Sequence, residues 1–410
     1  MAKCLVTTLK AAVNDNSLLR IGEMRIKISS MESPNEYSQS IKLGFTKSVD
    51  LEIIGEGYFT DATLSANNGK KMTCNVGDNI IHFSNGNYEI AVLDKYSLNS
   101  LTASKQDDKF YPNKVIDLKY LKYSYNLNRL FAGEGNLSGD ISALSGLTSL
   151  TTLNVSNCNF SGDISALSGL TSLTYLYLQN NNLSGDISAL SGLTSLYSLD
   201  VSYNNLSGDI SALSGLTSLK VLDVANNNLS GDISALSGLT SLTYLKVTDN
   251  SNISGDVSSL SSLTLVTRAI LGIENDYAVG GTKLICSNIA TLKSMTSLKE
   301  LYVKGINIQG DLSLLPAGLM FLSNKNVVSN CSWDNSRPSS SSIFAIEGSL
   351  TVNNIDGMLN DFSNCVVPSK PSGAYYSTID VSGTRTSASD AAVSSLKSKG
   401  YTIKVNGVTI

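Results

Sequence analysis

Two aspartates in the middle of the chain have the spacing of a catalytic carboxylate pair. Asp200 and Asp223 are 23 residues apart. On neighbouring strands their carboxylates would lie about 5 Å apart, as in retaining glycosidases. An open sheet offers no pocket that raises the pKa of one carboxyl, and Lys220 and Lys246 are near enough to neutralise the pair. We therefore predict no catalytic residues and no enzyme activity, and we keep a glycan-active enzyme only as a distant alternative.

A second row of carboxylates comes from the recurring string SGDIS. Such a row could bind calcium through its oxygens. Each aspartate could instead cap the short helical turn that follows it, and we favour capping. The aspartates are Asp140, Asp163, Asp186, Asp209, Asp232 and Asp256.

The remaining reactive side chains do not form a motif. His82, the only histidine, stands in the strand-like segment NIIHF, and the chain contains no GxSxG nucleophile elbow. No two cysteines form a CxxC pair, so we predict no zinc site, no cofactor and mostly free thiols. The cysteines are Cys4, Cys74, Cys158, Cys286, Cys331 and Cys365.

Composition excludes two classes of partner. The net charge is −4, and no basic stripe is visible, so we predict no nucleic-acid binding. No apolar run reaches the roughly 20 residues of a membrane helix. The first residues lack the apolar core of a secretory signal, so we expect the protein to stay inside the cell or to leave by another route.

The elements that position these residues are set by an internal repeat. The string SGDISALSGLTS occurs five times at intervals of 23 residues, beginning at Ser138, Ser161, Ser184, Ser207 and Ser230. A looser copy follows from Ser254. Before each string, leucines alternate with polar or aromatic residues, as Leu176 and Leu178 do with Tyr175 and Tyr177, which is typical of a strand. We predict a parallel sheet from about Leu127 to Val303.

The pattern LxxLxLxxNxL within this unit resembles the leucine-rich-repeat family. The resemblance implies a solenoid with parallel β-strands on a concave face and a short helical or irregular convex side. Asn181, Asn204, Asn227 and Asn250 fall at the turn after each strand, where buried amides can bond adjoining turns, and Cys158 replaces asparagine in one repeat.

The rest of the chain differs in kind. We predict an N-terminal all-β domain over residues 1–103, a linker over 104–116 and the solenoid over 117–330. Residues 331–410 are predicted to hold irregular terminal repeats and a C-terminal β-α-β cap. In this cap Ser389 or Asp390 begins a helix, and an Asn406–Gly407 turn follows the last strand.

Function is expected on the concave face, because the five copies vary around the strand and not in the convex string. The alternative explanation is recent duplication with tight packing on the convex side, and tyrosine is also common in strands. Tyrosine suits contacts with either a protein or a glycan. The predicted contact residues are Arg129, Phe131, Asn154, Tyr175, Tyr177, Tyr197, Asp200, Tyr203, Lys220, Asp223, Tyr244, Lys246 and Tyr302.

The combined layout resembles leucine-rich-repeat proteins encoded by gut bacteria and their phages. The repeats are followed by an end that reads TIDVSG, SASDAAVSSLKSKG and VNGVTI. The resemblance implies a virion adhesin, assembled in the host cytoplasm, whose N-terminal domain binds other virion proteins. The alternative is a cellular interaction scaffold, either cytoplasmic or displayed on a bacterial surface by a non-classical route.

Overall fold

The computed structural model describes residues 126–131, 137–273, 283–319, 321–333, 345–364 and 378–410, together with the backbone of short strands before residue 126. The chain forms two compact units, Met1–Leu206 and Ser207–Ile410, and the boundary falls inside the run of repeats. Residues 105–115 of the predicted linker lie outside the described residues.

The first unit begins with antiparallel strands. The order β1-β2-β9-β4-β7 makes one sheet, and β6-β5-β8-β3-β10 pair in a second set. The bounds are β1 Leu5–Thr7, β2 Met24–Ser29, β3 Gln39–Phe45, β4 Val49–Gly55, β5 Tyr58–Asp61, β6 Ser65–Asn67, β7 Lys71–Cys74, β8 Gly77–Phe83, β9 Asn87–Val92, β10 Leu98–Ser104 and β11 Ile116–Asp117.

The repeats of the first unit follow in parallel. The concave strands are β12 Arg129–Phe131, β14 Thr152–Asn154, β16 Tyr175–Tyr177 and β18 Ser198–Asp200. The convex side holds β13 Leu137–Asp140, β15 Asn159–Asp163 and β17 Asn182–Ser184, with 3-10 helices at Ile141–Leu144, Ile164–Leu167 and Ile187–Leu190. β10 pairs in parallel with β12, so the N-terminal strands continue the concave sheet.

The second unit repeats this arrangement. Its concave strands are β19 Val221–Asp223, β21 Tyr244–Lys246, β23 Arg268–Gly272, β25 Glu300–Lys304 and β28 Phe321–Ser332. Its other strands are β20 Ser230–Asp232, β22 Asn252–Asp256, β24 Lys283–Cys286, β26 Asn307–Ile308 and β27 Gly310–Asp311. The 3-10 helices are Ile210–Leu213, Ile233–Leu236, Val257–Ser262, Ile289–Ser294 and Leu312–Leu314. Within each unit the predicted parallel pairing is confirmed.

The second unit ends in larger elements. They are β29 Ala345–Val352, α1 Ile355–Asn364, β30 Thr378–Val381, a 3-10 turn Ser387–Ser389, α2 Asp390–Ser398, β31 Thr402–Val405 and β32 Val408–Thr409. Ser389 stands at the N-cap of α2, but its hydroxyl donates to Asp356 Oδ1 of α1 at 2.6 Å and makes no cap bond. Neither helix has the length or apolar character of a membrane crossing, and the described residues contain no other α-helix.

Asparagines join successive repeats as predicted. Asn181 Nδ2 donates to Val155 O at 2.8 Å in the preceding repeat and to Leu178 O at 2.9 Å in its own. Its Oδ1 accepts from Phe160 N at 2.9 Å. Asn250 makes the same bonds in the second unit. Each amide therefore satisfies buried backbone groups that no strand partner reaches.

Aspartate caps order the convex turns, which confirms the capping prediction. Asp140 Oδ1 accepts from Ser142 N at 2.8 Å, and the other SGD aspartates cap their own 3-10 helices in the same way. The carboxylate also packs against the next repeat. Gly162 has φ +102°, and a Cβ there would stand 2.6 Å from Asp140 Oδ1, so only glycine fits.

The cysteines within the described residues are buried free thiols, namely Cys158, Cys286 and Cys331. Cys158 occupies the asparagine position of its repeat, and its thiol donates to Ser156 O at 3.2 Å. Burial raises the pKa of Cys286 and of Cys331 to about 12. These thiols are therefore protonated and unreactive at neutral pH.

Candidate binding site on the concave strands

The strand period separates core from surface within each repeat. Leu176 has no exposed surface, whereas Tyr175 and Tyr177 on either side of it point away from the core. The strands are in register, so equivalent positions form columns across the first unit. One column holds Arg129, Thr152, Tyr175 and Ser198, and the other holds Phe131, Asn154, Tyr177 and Asp200.

Three tyrosines dominate the exposed apolar surface of the first unit. Tyr175 and Tyr197 are each 37% exposed, and Tyr203 is 40% exposed. Within the described part of this unit, they are the exposed large hydrophobic side chains. We call these three residues the tyrosine patch. The rings of Tyr175 and Tyr197 lie 5.6 Å apart between centroids and are tilted by 52°, the separation of a favourable aromatic pair.

Small residues flank this pair. Thr152 and Ser198, the column neighbours of Tyr175, are only 6% and 3% exposed. Short, buried polar side chains therefore lie on both sides of Tyr175 in its column. An uncharged aromatic surface of this kind can contact apolar side chains through the ring faces and polar groups through the hydroxyls.

Several residues at the last position of a concave strand have a local structural role. Asn154 Oδ1 accepts from Ser156 N at 3.1 Å, and Asp200 Oδ1 accepts from Ser202 N at 3.0 Å. In the second unit, Asp223 Oδ1 makes the equivalent bond to the next residue but one. These bonds hold the turn after each strand. A ligand contact by these three residues stays a prediction.

The second unit places a charged cluster on its concave strands. Arg268 Nε lies 3.2 Å from Glu300 Oε2, and its guanidinium carbon lies 5.4 Å from the ring centroid of Tyr302. The Tyr302 hydroxyl donates to Glu300 Oε2 at 3.2 Å. The sequence predicted only Tyr302. Glu300 lies 32 residues after Arg268, so an insertion between β23 and β25 interrupts the 23-residue period that would have paired these two residues.

Other predicted contact residues of the second unit differ in exposure. Lys220 is exposed and Tyr244 is half-buried, whereas Lys246 is only 8% exposed. Lys246 pairs in register with Asp223, so opposite charges stand on adjacent strands. Burial leaves Lys246 little surface for a ligand.

The two aspartates with the spacing of a catalytic pair, Asp200 and Asp223, lie in different units of the chain. Asp200 belongs to the first unit and Asp223 to the second, and each carboxylate accepts a hydrogen bond from a backbone N–H in the turn that follows it. Among the described residues, no group of three or more histidine, cysteine, aspartate or glutamate side chains could hold a metal ion.

Comparison with known proteins identifies the repeats. Residues 171–215 and 217–262 match the family model described as Leucine Rich repeats (2 copies), and residues 149–170 match that described as Leucine Rich Repeat. The chain therefore contains leucine-rich repeats, stacked as a solenoid with parallel strands. No curated protein matches the chain.

Solved structures share the fold at low identity. The ectodomain of the receptor kinase GASSHO1/SCHENGEN3 from Arabidopsis thaliana, in complex with CASPARIAN STRIP INTEGRITY FACTOR 2, is 23% identical over 68% of this chain, with a TM-score of 0.53. The plant peptide hormone receptor RGFR1, in complex with RGF2, is 23% identical over 68% of this chain, with a TM-score of 0.51. The chain spans 32% and 44% of these two receptors.

A bacterial structure is matched over more of its length. An internalin (inlF) from Listeria monocytogenes is 24% identical over 77% of this chain and 85% of its own, with a TM-score of 0.52. At these identities the likeness concerns the fold.

Proposed function

We propose that the chain is a binding protein whose concave strands contact a receptor, with the tyrosine patch as the centre of the contact surface. The observation that carries this proposal is the exposed, tilted aromatic pair of Tyr175 and Tyr197. Exposed aromatic rings lose solvation on binding and often contribute a large share of interface energy.

The receptor we propose is a protein, and a glycan is the alternative. The patch is aromatic and is flanked by the hydroxyl side chains of Thr152 and Ser198, and tyrosine and serine are enriched in protein-binding paratopes. Two structural neighbours were solved with a peptide hormone or integrity factor bound, which supports a protein or peptide ligand for this fold.

The proposed setting is a phage particle, on which the protein is the component that recognises the bacterial host. The support is the resemblance of the repeats and of the C-terminal end to proteins of gut bacteria and their phages. The N-terminal strands would then bind other virion proteins. The alternative setting is a bacterial cell, with the protein as an interaction scaffold or surface protein.

Binding to cells tests the contact surface. Labelled protein is applied to a panel of intact gut bacterial strains, and bound fluorescence is measured by flow cytometry. Replacing Tyr175 and Tyr197 with serine should abolish binding to any positive strain, while circular dichroism remains unchanged. A convex control, with Ser142, Ser165 and Ser188 replaced by alanine, should bind normally. Loss of binding in the convex variant alone would place the contact on the other face.

Treatment of the cells separates the receptor classes. Protease treatment of a positive strain should remove binding, and periodate oxidation of its glycans should leave it. The reverse result would assign a glycan receptor. Antibody labelling of purified phage particles tests the setting, because particles without label would favour the cellular alternative.

A further inference from the structure

A left-handed backbone position recurs at the turn after each concave strand. In five repeats, one residue has φ between 52° and 56°. It directly precedes the asparagine that joins successive repeats, or Cys158 in the repeat where cysteine replaces that asparagine. Asparagine or aspartate stands there in four of them, and these are the residues other than glycine that best tolerate this conformation. The residues are Asn157, Asn180, Tyr203, Asn226 and Asp249.

The stacking of repeats imposes this conformation, whatever the side chain. In the first unit, Asn157 N donates to Gln179 O at 2.8 Å, and Asn180 N donates to Ser202 O at 3.0 Å. The N–H of the left-handed residue therefore bonds the next repeat along. Tyr203 has φ 54°, the same within two degrees as its neighbours, so its ring does not relax the turn.

Tyr203 is thus an unfavourable choice for its own backbone. A bulky residue at positive φ is an outlier that costs folding free energy. Tyr203 is 40% exposed, the most exposed member of the tyrosine patch, so a large part of its ring faces solvent. It follows β18, the strand that Tyr197 immediately precedes, so the two residues bracket one concave strand.

We propose that Tyr203 is a specificity-determining contact residue, retained for binding at a cost in folding stability. This inference rests on the proposed function, since it assigns Tyr203 to the same contact surface as Tyr175 and Tyr197. Its consequence is that stability and binding respond in opposite directions to one substitution.

The test measures both properties in Tyr203→Asn. Asparagine suits the left-handed turn, so the melting temperature should rise by about 2–4 °C. Binding to a positive bacterial strain should weaken by roughly tenfold or more. The mirror variant Asn180→Tyr, in the preceding repeat, should lower the melting temperature by a similar amount.

The possible outcomes separate this inference from the proposed function. A melting temperature of Tyr203→Asn that is unchanged or lower overturns the stability cost. A higher melting temperature with full cell binding overturns the contact role of Tyr203, and the proposed function stands if the Tyr175→Ser, Tyr197→Ser variant still loses binding. Full binding by both variants overturns the proposed function as well.

Discussion

The convex string and the concave strand of each repeat are under different physical constraints. On the convex side, the Ser-Gly-Asp segment is held by an aspartate cap and by a glycine that no other residue can replace. On the concave side, residues of very different size occupy one column, from Ser198 to the ring of Tyr175.

The difference shows that the positions that vary among repeats are not simply those with few packing contacts. Gly169, in the convex string, has no atom within 4 Å of the position a Cβ would take, yet the copies of the string keep this glycine. Thr152 and Ser198, which are buried, occupy a column that varies. Packing explains the invariance of Gly162 but not that of Gly169, for which recent duplication remains the explanation. Because buried side chains cannot contact a ligand, only the variation at exposed members of that column, such as Tyr175, supports diversification for a ligand.

The largest expected effect tests the inward side of a concave strand. Leu176 is fully buried, so Leu176→Ala should reduce the free energy of unfolding by about 2–5 kcal/mol. Tyr175→Ser, one position earlier and partly exposed, should reduce it by less, about 0.5–1.5 kcal/mol, because it loses the ring contact with Tyr197. Guanidinium denaturation of both variants measures the contrast. Equal losses of unfolding free energy would mean that Leu176 does not face the core or that Tyr175 does not face solvent.

The next effect divides the convex string itself. Gly162→Ala places a methyl group against the Asp140 carboxylate at positive φ and should cost about 1–3 kcal/mol. Gly169→Ala meets open space and should stay within about 0.5 kcal/mol of the parent. Thermal unfolding compares the stabilities of the two variants. A large loss of stability in Gly169→Ala would mean that packing, and not recent duplication, keeps this glycine invariant.

A smaller effect is expected from one helix cap. Asp163 Oδ1 accepts from Ser165 N at 2.8 Å, so Asp163→Ala should cost about 0.5–2 kcal/mol of unfolding free energy. Asp163→Asn retains a good capping group and should lose less. Urea titration of both variants checks the order, and equal losses would assign the effect to charge and not to the cap.

The smallest effect per residue is the pH dependence of these caps. Hydrogen bonds from the Ser165 backbone and hydroxyl lower the pKa of Asp163, and Ser142 does the same for Asp140. A lowered pKa means that the stabilisation is present above the unfolded value of about 3.9 and is lost as pH falls through the folded value. Stability should therefore be flat from pH 7 to 5 and fall below about pH 4. Denaturation at pH 7, 5 and 3 measures it, and the Asp163→Ala variant should show a shallower fall.

Most of the repeat architecture follows from one sequence. The period fixes which strands are neighbours, because each unit can bury its leucines only against the next. The alternation around Leu176 determines which side of the strand faces the core. The position of Asn181 identifies the amide that joins successive repeats, and that of Asp163 identifies the cap of the 3-10 helix. These roles depend on contacts within one repeat or between adjacent repeats, so they can be read from a regular period.

Only the tertiary structure decides which concave residues present surface to a ligand. Lys246 and Tyr203 are both polar-tipped residues at variable positions, but Lys246 is buried within β21, whereas Tyr203 is exposed in the turn after β18. The period fails at the insertion, so Arg268 and Glu300 are placed by pairing of β23 with β25 and not by the repeat pattern. The unfavourable backbone of Tyr203 is likewise set by the stack of repeats, since its own residue type would favour another conformation.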